Sequence, residues 1–141
     1  MNVLAEIEDK VYGAIAIDGP EGFTPPFSDV MFPCLIWDND GHFTDAQRSA
    51  VARILLEVGC RYVVCGGENC DAWHIAGDTE FVQQHLDDTE ELRETVHVMT
   101  TSFPDESPDD MAFFFVFYTN FDDHDFKRYL VLHIGFGISK G

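Results

Sequence analysis

The chain has 141 residues, of which 26 are Asp or Glu and 8 are Lys or Arg, so its formal net charge at pH 7 is −18. A surface this negative repels nucleic-acid phosphates and anionic lipid headgroups, and we therefore expect neither nucleic-acid nor membrane binding. The same charge would attract a basic protein partner and speed its association, although adaptation to a high-salt habitat would also account for it. With 45% hydrophobic residues, the chain is able to bury one core.

The location of the protein is predicted from its ends and its thiols. No apolar run approaches the ~20 residues that cross a membrane, and the first ten residues carry three acids where a signal peptide begins with positive charge. Cysteines in a chain without an export signal are expected to be reduced thiols. The sequence therefore predicts a cytoplasmic protein with four free cysteines: Cys34, Cys60, Cys65 and Cys70.

The first half of the chain divides into an N-terminal segment and the start of a regular alternation of strands and helices. Residues 1–30 combine a predicted strand at 11–17 with a loop rich in Pro and Gly, and residues 31–141 are predicted to form an α/β core domain. Residues 33–37 are a short apolar run typical of a buried parallel strand. Thr44 and Gln47 then form a capping box, which predicts a helix that ends at Gly59.

The alternation continues through the second half. A strand is predicted at 61–65, a helix at 71–86 with a break near Gly77, a short acidic helix at 88–93, and a strand at 95–101. Ser107 and Pro108 have the positions of an N-cap and a first helical residue, so we predict a helix over 108–118. The aromatic run at 113–117 would also fit a strand. A last strand is predicted at 129–134.

This order of elements predicts the fold class. Strands that alternate with helices favour a mostly parallel sheet with helices on both faces. We therefore expect a single three-layer α/β domain of flavodoxin-like architecture.

Polar residues follow two of the predicted strands, at the edge where open α/β sheets bind ligands. We predict that these two turns share one rim. Cys70 and His74 are spaced i, i+4 near a predicted helix start, where a thiolate beside an imidazole would be a nucleophile; Cys70 would otherwise pack as a small apolar residue. The candidates are Cys70 and His74 for catalysis, and Asp38, Asp40, Glu68 and Trp73 for binding.

Metal and cofactor sites receive little support. A zinc site at Cys65, Cys70 and His74 would lack a fourth ligand. Residues 119–125 pack three carboxylates around His124 and are able to hold a divalent cation, but a solvated turn has the same composition. We expect no metal and no cofactor.

Residues 35–41 resemble the first motif of haloacid-dehalogenase-type phosphatases, in which an apolar strand ends in Asp-x-Asp-Gly. The resemblance implies Asp38 as nucleophile, Asp40 as general acid and base, and Mg²⁺ as cofactor, with residues 98–101 as the second motif. No Lys lies between that strand and the acidic pair at 122–123, and His42 stands where the family has Thr.

A second resemblance spans residues 31–135. The segments 59–67, 70–74 and 119–126 are similar to small uncharacterised bacterial proteins of a domain of unknown function. This resemblance implies a bacterial origin and a single domain, and no activity.

These observations support three kinds of function. We predict a non-catalytic acidic binding protein, of the immunity, inhibitor or anti-defence type, that captures a basic protein partner. The alternative is a small enzyme that uses Cys70 and His74 as a thiol hydrolase or Asp38 and Asp40 as a phosphatase. A structural subunit of a larger assembly would fit the Phe content. The predicted acidic face comprises Asp87, Asp88, Glu90, Glu91, Glu94 and residues 105–110.

Overall fold

The computed structural model describes residues 2–27, 30–87, 98–119 and 126–135. Within these ranges six strands form one sheet and three helices pack against it. The strands are β1 (Asn2–Ile7), β2 (Lys10–Ile17), β3 (Phe32–Asp38), β4 (Cys60–Gly67), β5 (Met99–Phe103) and β6 (Arg128–Ile134), and the helices are α1 (Asp45–Val58), α2 (Cys70–Gln84) and α3 (Pro108–Phe117).

The strands lie in the order β1-β2-β6-β3-β4-β5. Only β1 and β2 pair antiparallel, as a hairpin, and the other four pairs are parallel. The mixed α/β class with a mostly parallel sheet is thus confirmed. Counted from β3, the order β5-β4-β3-β6 runs 3-2-1-4, as in Rossmann-type sheets, whereas flavodoxin-type sheets run 2-1-3-4-5. The strand order therefore reverses between β3 and β6.

The two faces of the sheet carry separate hydrophobic clusters, because successive side chains of a buried strand point to opposite sides. On one face, sheet residues pack with α1, α2 and the loop after β2; on the other they pack with α3. The first cluster includes Cys34, Ile36, Val63, Leu132, Val51, Leu55 and Trp73, and the second includes Leu35, Tyr62, Val64, Tyr129, Met111 and Phe115.

The N-terminal residues share this sheet and core. β2 pairs with β6 over seven residues, from Val11 opposite Arg128 to Ile17 opposite Ile134. In the loop that follows, Phe23 and Phe27 are buried in the first cluster. β1 was not expected from the sequence, and its side chains are mostly exposed, so they lack the alternation that identifies a half-buried strand.

Caps define two of the helices. At α1, the Gln47 N–H donates to Thr44 Oγ1 (3.2 Å) and the Thr44 N–H donates to Gln47 Oε1 (2.9 Å), which confirms the capping box. At α3, the Asp110 N–H donates to Ser107 Oγ (3.2 Å) and Pro108 occupies the first turn. The helical prediction for this segment is therefore confirmed over the strand alternative.

α2 runs without interruption through Gly77, so the predicted break is wrong. Gly77 is buried against β5, and a Cβ atom there would lie 3.3 Å from Thr100 Cγ2. The glycine thus permits the close approach of α2 to β5 rather than ending the helix.

Some predictions fall outside the described residues. These are the acidic helix at 88–93, most of the loop at 119–125 and the first half of the strand at 95–101, whose second half corresponds to β5. Among the described helices, none is long and apolar enough to cross a membrane.

The capping box gives a test of the fold. Replacing Thr44 by Ala removes the acceptor for the Gln47 N–H, and we expect the free energy of unfolding to fall by about 1 kcal/mol. Urea denaturation followed by circular dichroism measures the change, with Thr44→Ser as the matched control that keeps the hydroxyl. A Ser variant as unstable as the Ala variant would contradict this role of the cap.

Candidate functional site

The turn after β3 is organised around the buried carboxylate of Asp38, whose exposed fraction is 1%. Its Oδ1 accepts from the N–H groups of Asp40 (3.2 Å) and Gly41 (2.8 Å). Its Oδ2 accepts from Trp73 Nε1 on α2 (2.8 Å). A buried carboxylate is stable only when hydrogen bonds replace its hydration, and these three donors do so. Both carboxylate oxygens of Asp38 therefore accept hydrogen bonds from within the protein.

The turn after β4 packs against the turn after β3, as predicted. The Glu68 N–H donates to the Asp38 carbonyl (2.9 Å), and Asn69 Nδ2 donates to the Gly41 carbonyl (3.3 Å). Gly67 has φ +78°, and a Cβ atom there would lie 2.3 Å from the Asp38 carbonyl oxygen. Only glycine fits this approach, so the structure brings Asp38, Glu68 and Trp73 together.

A third strand end meets the first. Asn39 donates from its backbone N–H (2.9 Å) and from Nδ2 (3.1 Å) to the Ile134 carbonyl at the end of β6. The Asp40 carboxylate lies against Gly135, where a Cβ atom would collide with it. The turn at 38–41 therefore fills the place between β3 and β6 where the strand order reverses.

Cys70, the predicted nucleophile, is the first residue of α2 and is buried. Burial, and to a smaller extent the nearby Asp71 carboxylate, raises the pKa of the Cys70 thiol. The other three cysteines are also free and buried, and burial raises the pKa of Cys60 to about 12. A reactive cysteine needs an exposed thiol with a lowered pKa, and Cys70 has the opposite properties.

His74 points away from the two turns, toward the edge strand β5. Its Nδ1 lies 3.2 Å from Ser102 Oγ, and its Nε2 lies 3.2 Å from Asp78 Oδ2. Ser102 Oγ donates to Asp71 Oδ1 (2.8 Å). Asp38 and His74 thus belong to separate hydrogen-bond networks, and the structure does not bring them into one site.

The cluster of Asp71, His74, Asp78 and Ser102 contains the residue types of a serine hydrolase, but the hydroxyl of Ser102 is shared between two partners. Ser102 Oγ donates to Asp71 Oδ1 (2.8 Å) and lies 3.2 Å from His74 Nδ1, so Asp71 competes with His74 for the one hydroxyl proton. These contacts join α2 to β5. The spacing of 71, 74 and 78 on one helix face could have revealed the cluster from the sequence.

A cavity of about 430 Å³ opens beside the start of α2, lined by residues 67–72 and Pro104. It includes Glu68 and Cys70 of the predicted rim, whereas Asp38 and His74 do not line it. In the part of the chain that the structure describes, no three His, Cys, Asp or Glu side chains are grouped closely enough to hold a metal ion.

The comparison with protein families matches residues 17–139 to a domain of unknown function, DUF7684. The match covers most of the chain and begins at the last residue of β2, so the chain belongs to this family. No curated protein and no solved structure matches it. Membership of an uncharacterised family is thus confirmed, and the bacterial origin stays a prediction.

The bond from Trp73 to Asp38 gives a test of this region. Trp73→Phe keeps an aromatic ring but leaves Asp38 Oδ2 buried without its donor, and we expect a loss of about 3 kcal/mol in the free energy of unfolding. Trp37→Phe is the matched control, since Trp37 lies on the opposite face of the sheet and is only partly buried. We expect less than half the loss there, and equal losses would argue against the bond.

The raised pKa of Cys70 gives a second test. A raised pKa lowers the thiolate fraction at neutral pH, so iodoacetamide should label Cys70 in the folded protein more slowly than a free thiol at every pH from about 5 to 9. Peptide mass spectrometry gives the rate at each cysteine. His74→Ala should leave that rate unchanged. Rapid labelling below pH 7 that disappears in His74→Ala would restore the catalytic pair.

Proposed function

We propose that this protein is a non-catalytic acidic binding protein, of the immunity, inhibitor or anti-defence type, that captures a basic protein partner. The proposal rests on one observation: most of the few Lys and Arg side chains make contacts within the protein itself. Lys127 lies 3.0 Å from Asp9, Arg48 pairs with Asp45, and Lys10 lies over the ring of Tyr129. Arg61 and Arg128 donate to backbone carbonyls.

These contacts leave a surface dominated by one sign of charge. Exposed carboxylates occur on β1, on α2, and around the start of α3, where residues 104–110 are all exposed. Such a surface produces a long-range negative potential that steers a basic protein toward it and repels competing anions. An inhibitor that masks a basic nucleic-acid-binding surface would work in this way.

The geometry of the predicted rim supports this proposal over the enzymatic alternative. A phosphatase nucleophile must have a carboxylate oxygen free to attack phosphorus, and both oxygens of Asp38 accept hydrogen bonds from the fold. A thiol hydrolase needs a thiolate beside its base, and Cys70 is buried while His74 contacts Ser102 and Asp78.

We also propose a cytoplasmic location, supported by the four free thiols. We infer a three-layer arrangement of the domain, since α1 and α2 contribute to one core cluster and α3 to the other.

Salt dependence is the direct test of the proposed function. The immobilised protein is used to isolate a basic partner from source cells, and the association rate of that purified partner is measured in about 25 and 300 mM NaCl. We expect the rate to fall about tenfold or more, because salt screens exposed charges. An unchanged rate, or the absence of any basic protein among those bound, would overturn the proposal.

The enzymatic alternative makes a different prediction in the same preparation. It requires hydrolysis of p-nitrophenyl phosphate with Mg²⁺ that Asp38→Asn abolishes, or of p-nitrophenyl acetate that Cys70→Ala abolishes. We expect neither, and either result would replace the binding proposal by the enzymatic one.

A further inference from the structure

α3 carries aromatic side chains on its outer face as well as on its inner face. Met111 and Phe115 are buried against the sheet, whereas the exposed fractions of Phe113, Phe117 and Tyr118 are 57%, 62% and 59%. The exposed rings contact one another: the centroid of Phe113 lies 4.9 Å from that of Phe117 and 5.9 Å from that of Tyr118. They form a contiguous apolar patch, whereas exposed hydrophobic residues on most protein surfaces are scattered singly.

A cavity of about 290 Å³ opens beside this patch, between α3 and the end of β5. Its floor is the buried side chain of Met111, and its walls are aromatic. Two exposed carboxylates stand at its rim. The wall residues are Phe103, Phe113, Phe114 and Tyr118, and the rim residues are Glu106 and Asp110.

The walls are held in place before any ligand arrives. Phe114 packs edge-on against Phe103 (4.8 Å between centroids) and Tyr62 (6.4 Å), which are residues of the sheet. Tyr118 stacks on Phe114 at 5.8 Å with an interplanar angle of 26°. Such contacts reduce the ordering cost of binding.

The cavity has a polar end and an aromatic end. Asp110 and Phe114 lie on one face of α3, and Tyr118, which follows the last residue of the helix, continues that row to a length of about 12 Å. Asp105 and Asp109 are exposed and adjoin Glu106 and Asp110 in the sequence, and four carboxylates outweigh the partial positive charge of a helix N-terminus.

This combination matches the chemistry of an arginine side chain. A guanidinium group stacks on aromatic faces, donates to carboxylates in a fork of two hydrogen bonds, and has an aliphatic stem that packs on rings. An anion would be repelled by the rim. A second copy of this chain is disfavoured too, since two chains that each have a formal net charge of −18 repel one another.

We propose that this cavity receives an arginine side chain of the basic partner, so that the outer face of α3 and the end of β5 form the centre of the interface. The proposal rests on the proposed function and adds to it the place of contact and the group recognised. Tyr, Trp and Arg side chains are the groups most often found at the energetic centre of an interface.

The test uses a short capped peptide with three arginines separated by glycines as the probe, and the same peptide with citrulline as the uncharged isostere. Ring signals of the ¹³C-labelled protein are followed by NMR during titration. We expect the arginine peptide to shift the signals of Phe113, Phe114 and Tyr118, and the citrulline peptide to leave them in place. Equal shifts with both peptides, or tighter binding of a lysine peptide, would overturn the assignment to arginine.

Variants separate the cavity from general attraction by charge. Glu106→Gln with Asp110→Asn should weaken binding of the arginine peptide at least tenfold, and so should Tyr118→Ala, whose exposed side chain is not needed for the core. Glu21→Gln with Glu57→Gln is the control, because it removes two exposed charges elsewhere and should weaken binding less than threefold.

The outcomes distinguish this inference from the proposed function. If both double variants weaken binding equally and no ring signal of α3 moves, the cavity is not the site, and salt-dependent association of the purified partner would still support capture through charge. If association of that partner does not depend on salt, the proposed function fails even if the arginine peptide binds at α3.

Discussion

Asp38 connects the turn after β3 with the turn after β4 and with α2, which come much later in the sequence. One carboxylate oxygen closes the turn after β3, the other accepts from Trp73 on α2, and the carbonyl of the same residue accepts from the N–H of Glu68 after β4. Burying a charge is costly unless every lone pair that loses water gains a donor. The hydrogen bonds of Asp38 therefore hold the turn after β3, helix α2 and the end of β4 in one arrangement.

The consequences extend from this residue into the core. Trp73, fixed by Asp38, is fully buried and its ring lies 5.6 Å from that of Phe43, which precedes α1. The Trp73 bond thus sets the position of α2 relative to the first cluster. On the other side of α2, the bonds of His74, Asp71 and Asp78 to β5 set its distance from the edge of the sheet. Apolar packing and polar bonds together hold the helix.

The sequence predicted those features that depend on neighbouring residues. The caps at Thr44 and Ser107 are formed within three residues, and both helix starts were confirmed. Gly77 was misinterpreted, because its use depends on the approach of Thr100, which lies on another element. The same reason applies to the rim. A polar residue after a strand is a ligand in one fold and a cap in another, and the partner that decides for Asp38 is Trp73, 35 residues away.

The ambiguity of residues 113–117 has a structural cause that bears on function. The segment is apolar on every side because α3 has two aromatic faces, one against the sheet and one exposed. A helix that is hydrophobic all round is normally buried on all sides. Within the described residues the sheet covers only the inner face of α3, and its outer face is exposed beside the acids at its start. Charge and aromatic surface would then have successive roles. Under the proposed function, the negative field would bring a basic protein near, where long-range attraction raises the association rate but adds little to residence time. Aromatic rings that stack on a guanidinium group of that protein would then lower its dissociation rate.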